Sequence, residues 1–279
     1  MTQLEIAGLG LLVTVVFMTC GWLLSVVRED ASTVDPLWGL GFVLLAVVFA
    51  ITGDGFASRK ALVIALVGIW GIRLAGYIAI RNWGKGEDYR YQAFRRRWGK
   101  SYWWVSFFQV FMLQGLLMWI IALSLMAAES NRTPDHFAVL DFLGAAVWGV
   151  GFFFEVVGDW QLARFRADPA NEGKVMRSGL WACTRHPNYF GEATMWWGLY
   201  LIAAGTRWGF WTIFSPILIT FLLLRVSGVA LLDKAQVQTK PKYRDYIEST
   251  SAFIPWFPRR QKASVSSDTP AEQTRSTPT

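Results

Sequence analysis

Seven apolar stretches, at 4–27, 36–52, 61–80, 104–128, 138–157, 189–204 and 208–232, run 16 to 25 residues each between short charged segments. Stretches of this length cross a hydrocarbon core roughly 30 Å thick when they are helical. Backbone in lipid has no water to bond with, and a helix satisfies its own amides and carbonyls within one segment. The pattern therefore predicts an all-α, polytopic integral membrane protein with about seven transmembrane helices. A large soluble helical core is the disfavoured alternative. Charged residues make up only 17% of the chain, against about 25% in soluble domains. Many of the 16 tryptophans flank the apolar stretches, where indole favours the membrane boundary. Gly53-Asp54-Gly55 and Thr133-Pro134 mark turns, and the last stretch is expected to break near Arg225.

Lys and Arg set the expected orientation. Of 27 such residues, four lie in loops on the side of the N-terminus and 22 on the opposite side, with Arg73 inside a span. By the positive-inside rule the N-terminus is expected outside and the C-terminus in the cytoplasm. The first stretch has no basic region before it and no small-residue cleavage site after it, so it is expected as a retained span. Residues 1–258 are read as one seven-helix membrane domain, and the Ser/Thr/Pro-rich 259–279 as a disordered cytoplasmic tail. Cys20 and Cys183 fall at different depths, so neither a disulfide nor a Cys/His metal site is expected. The net charge of +7 reflects topology and anionic lipid, or a phosphate-bearing ligand, rather than nucleic acid.

Ionisable groups within or at the rim of spans cost about 3 kcal/mol each at mid-membrane and usually pair or line a cavity. Asp35, Arg73, Glu155, Asp159, Glu192 and Arg225 all fall at the expected inner depth, which favours a polar cavity facing the cytoplasm over scattered structural pairs. Glu155 and Asp159, four apart, share a helix face. Glu5 and Asp141 read as ordinary boundary residues. The adjoining loops carry ligand-binding groups: Asn82 in the first, and Arg166, Asn171, Lys174 and His186 in a second from 158 to 189. The run Arg95-Arg96-Arg97 reads as a topogenic cluster.

The most distinctive stretch is Gly179-Leu180-Trp181-Ala182-Cys183-Thr184-Arg185-His186-Pro187-Asn188-Tyr189-Phe190-Gly191-Glu192. Proline holds His186 extended, and Asn188 and Tyr189 sit at the interface, able to bond a polar head; a plain helix-start turn is the alternative. This stretch resembles the shared core of steroid 5α-reductases, sterol reductases and isoprenylcysteine carboxyl methyltransferases. With Asp35-Pro36-Leu37-Trp38-Gly39, the segment from Arg73 to Tyr91, Ser106-Phe107-Phe108-Gln109, Phe154-Glu155 with Gly158-Asp159, and Ala252-Phe253-Ile254-Pro255-Trp256, the chain is most similar to a bacterial, uncharacterised steroid 5α-reductase-like branch.

That resemblance implies a fold that holds NADPH in a cytoplasm-facing cavity, with a cofactor-binding core at about 138–258, in the bacterial inner membrane. It implies hydride transfer to an activated C=C of a lipophilic substrate drawn from the bilayer. Arg73, Asn82, Asp159, Arg166, Lys174, Asn188, Glu192 and Arg225 would contact the cofactor, with Glu155 at another cofactor-facing position. Asp35 stands where a carboxylate helps to polarise the substrate carbonyl. One departure is plain: the steroid reductases carry a tyrosine a turn before the arginine matched by Arg73, and here Trp70-Gly71-Ile72 stands there, leaving Tyr77 or Tyr91 to replace it. The competing expectation is a membrane methyltransferase using S-adenosylmethionine, which shares Arg185-His186-Pro187-Asn188-Tyr189.

Overall fold

In a computed structural model, residues 1–226, 228–240 and 243–258 are described, and they are all-α, with no strand among them. The tail from 259 lies outside the described residues. The helices are α1 (Gln3–Val27), α2 (Val34–Thr52), α3 (Ala57–Asn82), α4 (Tyr89–Trp98), α5 (Tyr102–Ser106), α6 (Leu113–Ser130), α7 (Val139–Ala167), α8 (Leu180–Cys183), α9 (Pro187–Ala204), α10 (Phe214–Phe221), α11 (Val229–Thr239) and α12 (Tyr243–Ser249). Six segments are long and apolar enough to cross a membrane: Gln3–Val27, Ala31–Thr52, Ala57–Asn82, Tyr89–Ser130, Val139–Ala167 and Gly209–Val226. The protein is thus an integral membrane protein. The stretch expected as a seventh span, α9, falls outside this set; it has 18 residues and carries Asn188 and Glu192 in its first turns.

Local chemistry explains the element ends. Thr2 and Glu5 form a capping box at α1, with Thr2 Oγ1 accepting from Glu5 N at 3.2 Å and Glu5 Oε2 accepting from Thr2 N at 2.8 Å. The span expected at 104–128 belongs to a longer composite, Tyr89–Ser130, made of α4, a 3₁₀ turn Gly99–Ser101, α5, a π segment Phe107–Met112, then α6. Gly99, at φ +51°, makes the break after α4. The loop expected to begin at 158 is instead helix through Ala167, because no breaker precedes Asp168-Pro169. The last stretch runs as a 3₁₀ turn Gly209–Ile213, α10 and a π segment Leu222–Val226, then breaks before α11, close to Arg225 as expected.

α7 and α9 lie against each other through glycines spaced seven residues, or about two helical turns, apart. A Cβ on Gly144 would sit 2.5 Å from the Gly198 carbonyl oxygen, and one on Gly151 2.5 Å from that of Gly191. Gly158 abuts Pro187 and Asn188 in the same row. Small residues let helix backbones approach closely where no hydrophobic gradient drives association. The approach brings the Gly191 backbone onto Glu155 and so sets α7 acids beside the start of α9. Gly39 and Gly71 make the same kind of contact between α2 and α3. Phe42, Trp70 and Trp196 close the centre, with ring centroids 4.5 to 5.7 Å apart.

Polar residues gather at the two ends of the bundle. At the end that holds the N-terminus, Arg59 and Asp141 form a fully buried pair at 2.8 Å, and Arg59 also donates to the Pro134 and His136 carbonyls. Asp141 is therefore not the boundary residue its position suggested. It is the partner of a basic residue 82 positions away. The opposite end holds Asp35, Arg73, Asp159 and the motif at 185–192, and there the candidate site lies.

Candidate functional site

Asp35 opens α2 and accepts hydrogen bonds from the Tyr91 hydroxyl at 2.6 Å and from Arg90 Nη2 at 3.1 Å. Both donors stand in the first turn of α4, which Asp88 caps by accepting from Arg90 N at 3.0 Å. Partial burial pushes the Asp88 carboxyl up, but hydrogen bonds and charge from Arg90 more than offset it and hold it below the usual carboxylate value. Tyr91 is buried, and its hydroxyl is fixed by Asp35. Tyr77, the other tyrosine singled out above, faces Arg73 and Arg81 across its ring at 5.9 and 5.7 Å.

Arg73 meets both α7 carboxylates, Asp159 at 3.0 Å and Glu155 in a shorter contact. Trp70 Nε1 donates to Glu155 at 3.1 Å, so this indole is engaged with an acid. Asn188 Nδ2 donates to Asp159 at 3.3 Å, while its Oδ1 is buried with no partner among the described residues. Glu192, about one turn further along α9, lies within electrostatic reach of Arg73 and Asp159. Five predicted residues, Arg73, Glu155, Asp159, Asn188 and Glu192, thus come together across α3, α7 and α9.

Outward from this cluster lies a cleft of about 740 Å³, within the 300–1,000 Å³ typical of small-molecule sites. Asn82, Asp159, Arg166, Asn171, Lys174, His186, Asn188 and Tyr189 line it. Arg73, Glu155 and Glu192 do not; they lie behind its wall, and the first two are already paired. Arg225 is exposed on the π segment and is not part of the lining. Asn171 spends its amide on the Phe165 carbonyl and Asp168, which shapes the turn. The lining carries seven basic side chains, Arg81, Lys85, Arg90, Arg166, Lys174, Arg185 and Lys240, against four acids, Asp88, Asp159, Asp168 and Glu172. That surplus suits an anion. Lys240 also donates to the Lys174 carbonyl at 2.8 Å across the mouth, and burial, with Arg166 nearby, lowers its pKa.

Sequence reasoning missed the floor of the motif. Asp233 on α11 accepts from Arg185 Nη2 at 2.7 Å and Tyr243 at 2.6 Å, and pairs with His186 Nε2 at 3.0 Å. Burial alone would raise the Asp233 carboxyl, but these three bonds take it down to about 2. His186, stacked on Tyr189 with ring centroids 5.5 Å apart, is a support of the cleft as well as part of its lining. Arg185 further donates to the Ile247 and Thr250 carbonyls, and residues 251–256 dock by Arg185 N to Ser251 O and Trp256 N to Cys183 O, both 2.9 Å. With Arg185 and Asp233 separated by 48 positions, no local pattern announces the pairing.

An uncharacterized protein of Schizosaccharomyces pombe is 25% identical over 275 residues, covering 88% of this chain and 78% of its own. No solved structure matches the chain. A family described as "Protein of unknown function (DUF1295)" matches residues 21–250, which include the Asp35 pair, the Arg73 cluster, the cleft and Asp233; the chain belongs to that family.

Proposed function

We propose that this protein is an NADPH-dependent membrane reductase that acts on an activated C=C of a lipophilic substrate from the bilayer. The observation that carries the reading is the cationic cleft, sized for a dinucleotide and backed by the one-sided bonding of Asn188. Arg81 and Arg166 in the lining suit phosphate oxygens by their planar forks, and Lys85 and Lys174 by point charge. The buried, unpartnered Oδ1 of Asn188 suits a carboxamide N–H, the donor that a nicotinamide offers. Bound there, the cofactor would supply hydride to the β-carbon of an enone.

The chain's own part is to stabilise charge on the substrate oxygen. Tyr91 gives its one proton to Asp35, so it donates to the substrate oxygen when Asp35 is protonated and donates to the phenol oxygen in turn, with the half-exposed Arg90 adding positive charge beside them. Asp35 then orients the donors, and Tyr91 replaces the missing tyrosine from a different helix. The Arg73 cluster holds Asp159, and Asp159 orients Asn188.

Titration of detergent-purified protein with NADPH, followed by thermal unfolding, tests the reading. The expected result is a rise in the midpoint that Asn188→Ala and Lys174→Ala reduce. No shift at saturating NADPH, with a shift from S-adenosylmethionine instead, would favour the methyltransferase and overturn the proposal.

A further inference from the structure

A second cavity, of about 290 Å³, opens at the same end of the molecule, between the end of α1, the last turn of α4 and α5. It shares no lining residue with the cleft. Tyr102 lines it, 2% exposed, with its hydroxyl unpartnered among the described residues. A buried hydroxyl without a partner loses its hydration for nothing in return, so a ligand that bonds it gains by completing it. Arg95 lies over the Tyr102 ring at 4.7 Å; its Nε and Nη2 serve Glu87 and the Glu29 carbonyl, and Nη1 takes no part in those bonds. Glu29, on the rim, is a non-glycine residue at φ +53°, a strained conformation of the sort retained at binding sites. Its carboxylate makes no hydrogen bond among the described residues.

The lining is dipolar. Arg95 and Tyr102 are donors. Ser25 and Ser106 give their own protons to the Trp22 and Trp103 carbonyls, at 2.7 and 2.9 Å, and so present lone pairs beside the acid of Glu29. An anionic head would meet Glu29 and a guanidinium already offset by Glu87. A trimethylammonium head would have no N–H for the serine oxygens. Beside the cavity, Leu23, Leu24, Val27, Trp103 and Trp104 are exposed and offer an apolar wall to acyl chains.

We infer that this cavity binds the headgroup of an aminophospholipid, a primary ammonium joined to a phosphodiester. The ammonium faces Glu29 and the serine oxygens; the phosphate faces Arg95 and the Tyr102 hydroxyl. This inference stands apart from the reductase reading and shares no residue with it.

The test is thermal unfolding of the full chain in detergent with short-chain phosphatidylethanolamine, phosphatidylcholine or phosphatidylglycerol at equal concentration. The ethanolamine lipid is expected to raise the midpoint most, and Tyr102→Phe and Glu29→Gln to lose most of that increment. Without lipid, Tyr102→Phe is expected to unfold at or above the parent's midpoint, since it removes only an unpaired hydroxyl. Glu29→Gln, at an exposed position, keeps the test decisive if the first variant misfolds. Equal shifts with all three lipids, a preference for phosphatidylglycerol, or an ethanolamine shift retained in both variants would each overturn the inference.

Discussion

Arg73 shows what a single residue must do in this protein. It sits within an apolar helix and survives there by meeting Glu155 and Asp159 together. Arg73→Leu would leave those carboxylates without a counter-charge, and breaking a buried pair from one side costs about 3–5 kcal/mol. Thermal unfolding should show that loss, and a second change, Glu155→Gln, should recover part of it. In the reductase proposed above, Tyr91 and Asp35 would be the catalytic counterpart. Removal of one such donor costs about 10²–10³-fold in turnover, so Tyr91→Phe is expected to lower kcat by that order while NADPH affinity stays at the parental value. If Tyr91→Phe reduces substrate at the parental rate, the donor lies elsewhere.

Two packing devices act at the scale of elements. The α7–α9 glycine row holds the cleft wall in register, and Gly151→Leu would drive a side chain into the Gly191 carbonyl and the Met195 backbone. That variant should lose NADPH-dependent stabilisation even if it inserts in the membrane, because Asp159 and Asn188 would part. The second device is Asp233, which ties α11 to the motif before α9 and to Tyr243 of α12. Its carboxyl titrates at about 2 in the folded protein, below the roughly 3.9 of a free aspartate. A depressed value means that its stabilising effect is complete above about pH 4 and is lost as pH falls toward 2. Hydrogen exchange of α11 and α12 should therefore accelerate across that window in the parent. In Asp233→Asn it should be fast already at neutral pH, with no acid transition of its own.

For the molecule as a whole, the expected orientation in the membrane rests on the distribution of charge along the sequence. The end that holds the cleft is the end toward which 22 of the 27 Lys and Arg were assigned. The orientation this implies can be checked with single cysteines in a background lacking Cys20 and Cys183. Asp135→Cys, at an exposed site beside His136, is expected to react with a membrane-impermeant thiol reagent on intact cells. Lys85→Cys, on the cleft, is expected to react only after lysis. The reverse pattern would put the cleft outside, away from the cytosolic cofactor proposed above.

What the amino-acid order determined by itself was the all-α class, six of the seven expected apolar spans and the sorting of charge into the segments between them. These follow from composition averaged over twenty or so neighbours, and a membrane solvent reads composition directly. Five of the polar residues named from sequence do meet, because depth in the bilayer is also a local property. Which partner each one takes was decided by tertiary structure. Arg59 with Asp141, Asp35 with Tyr91, and Arg185 with Asp233 are separated by 82, 56 and 48 positions. Such pairings depend on how each helix is rotated and how deeply it slides along its neighbour. Contacts such as those of Gly144, Gly151, Gly191 and Gly198 set both, and their effect exists only once the helices touch.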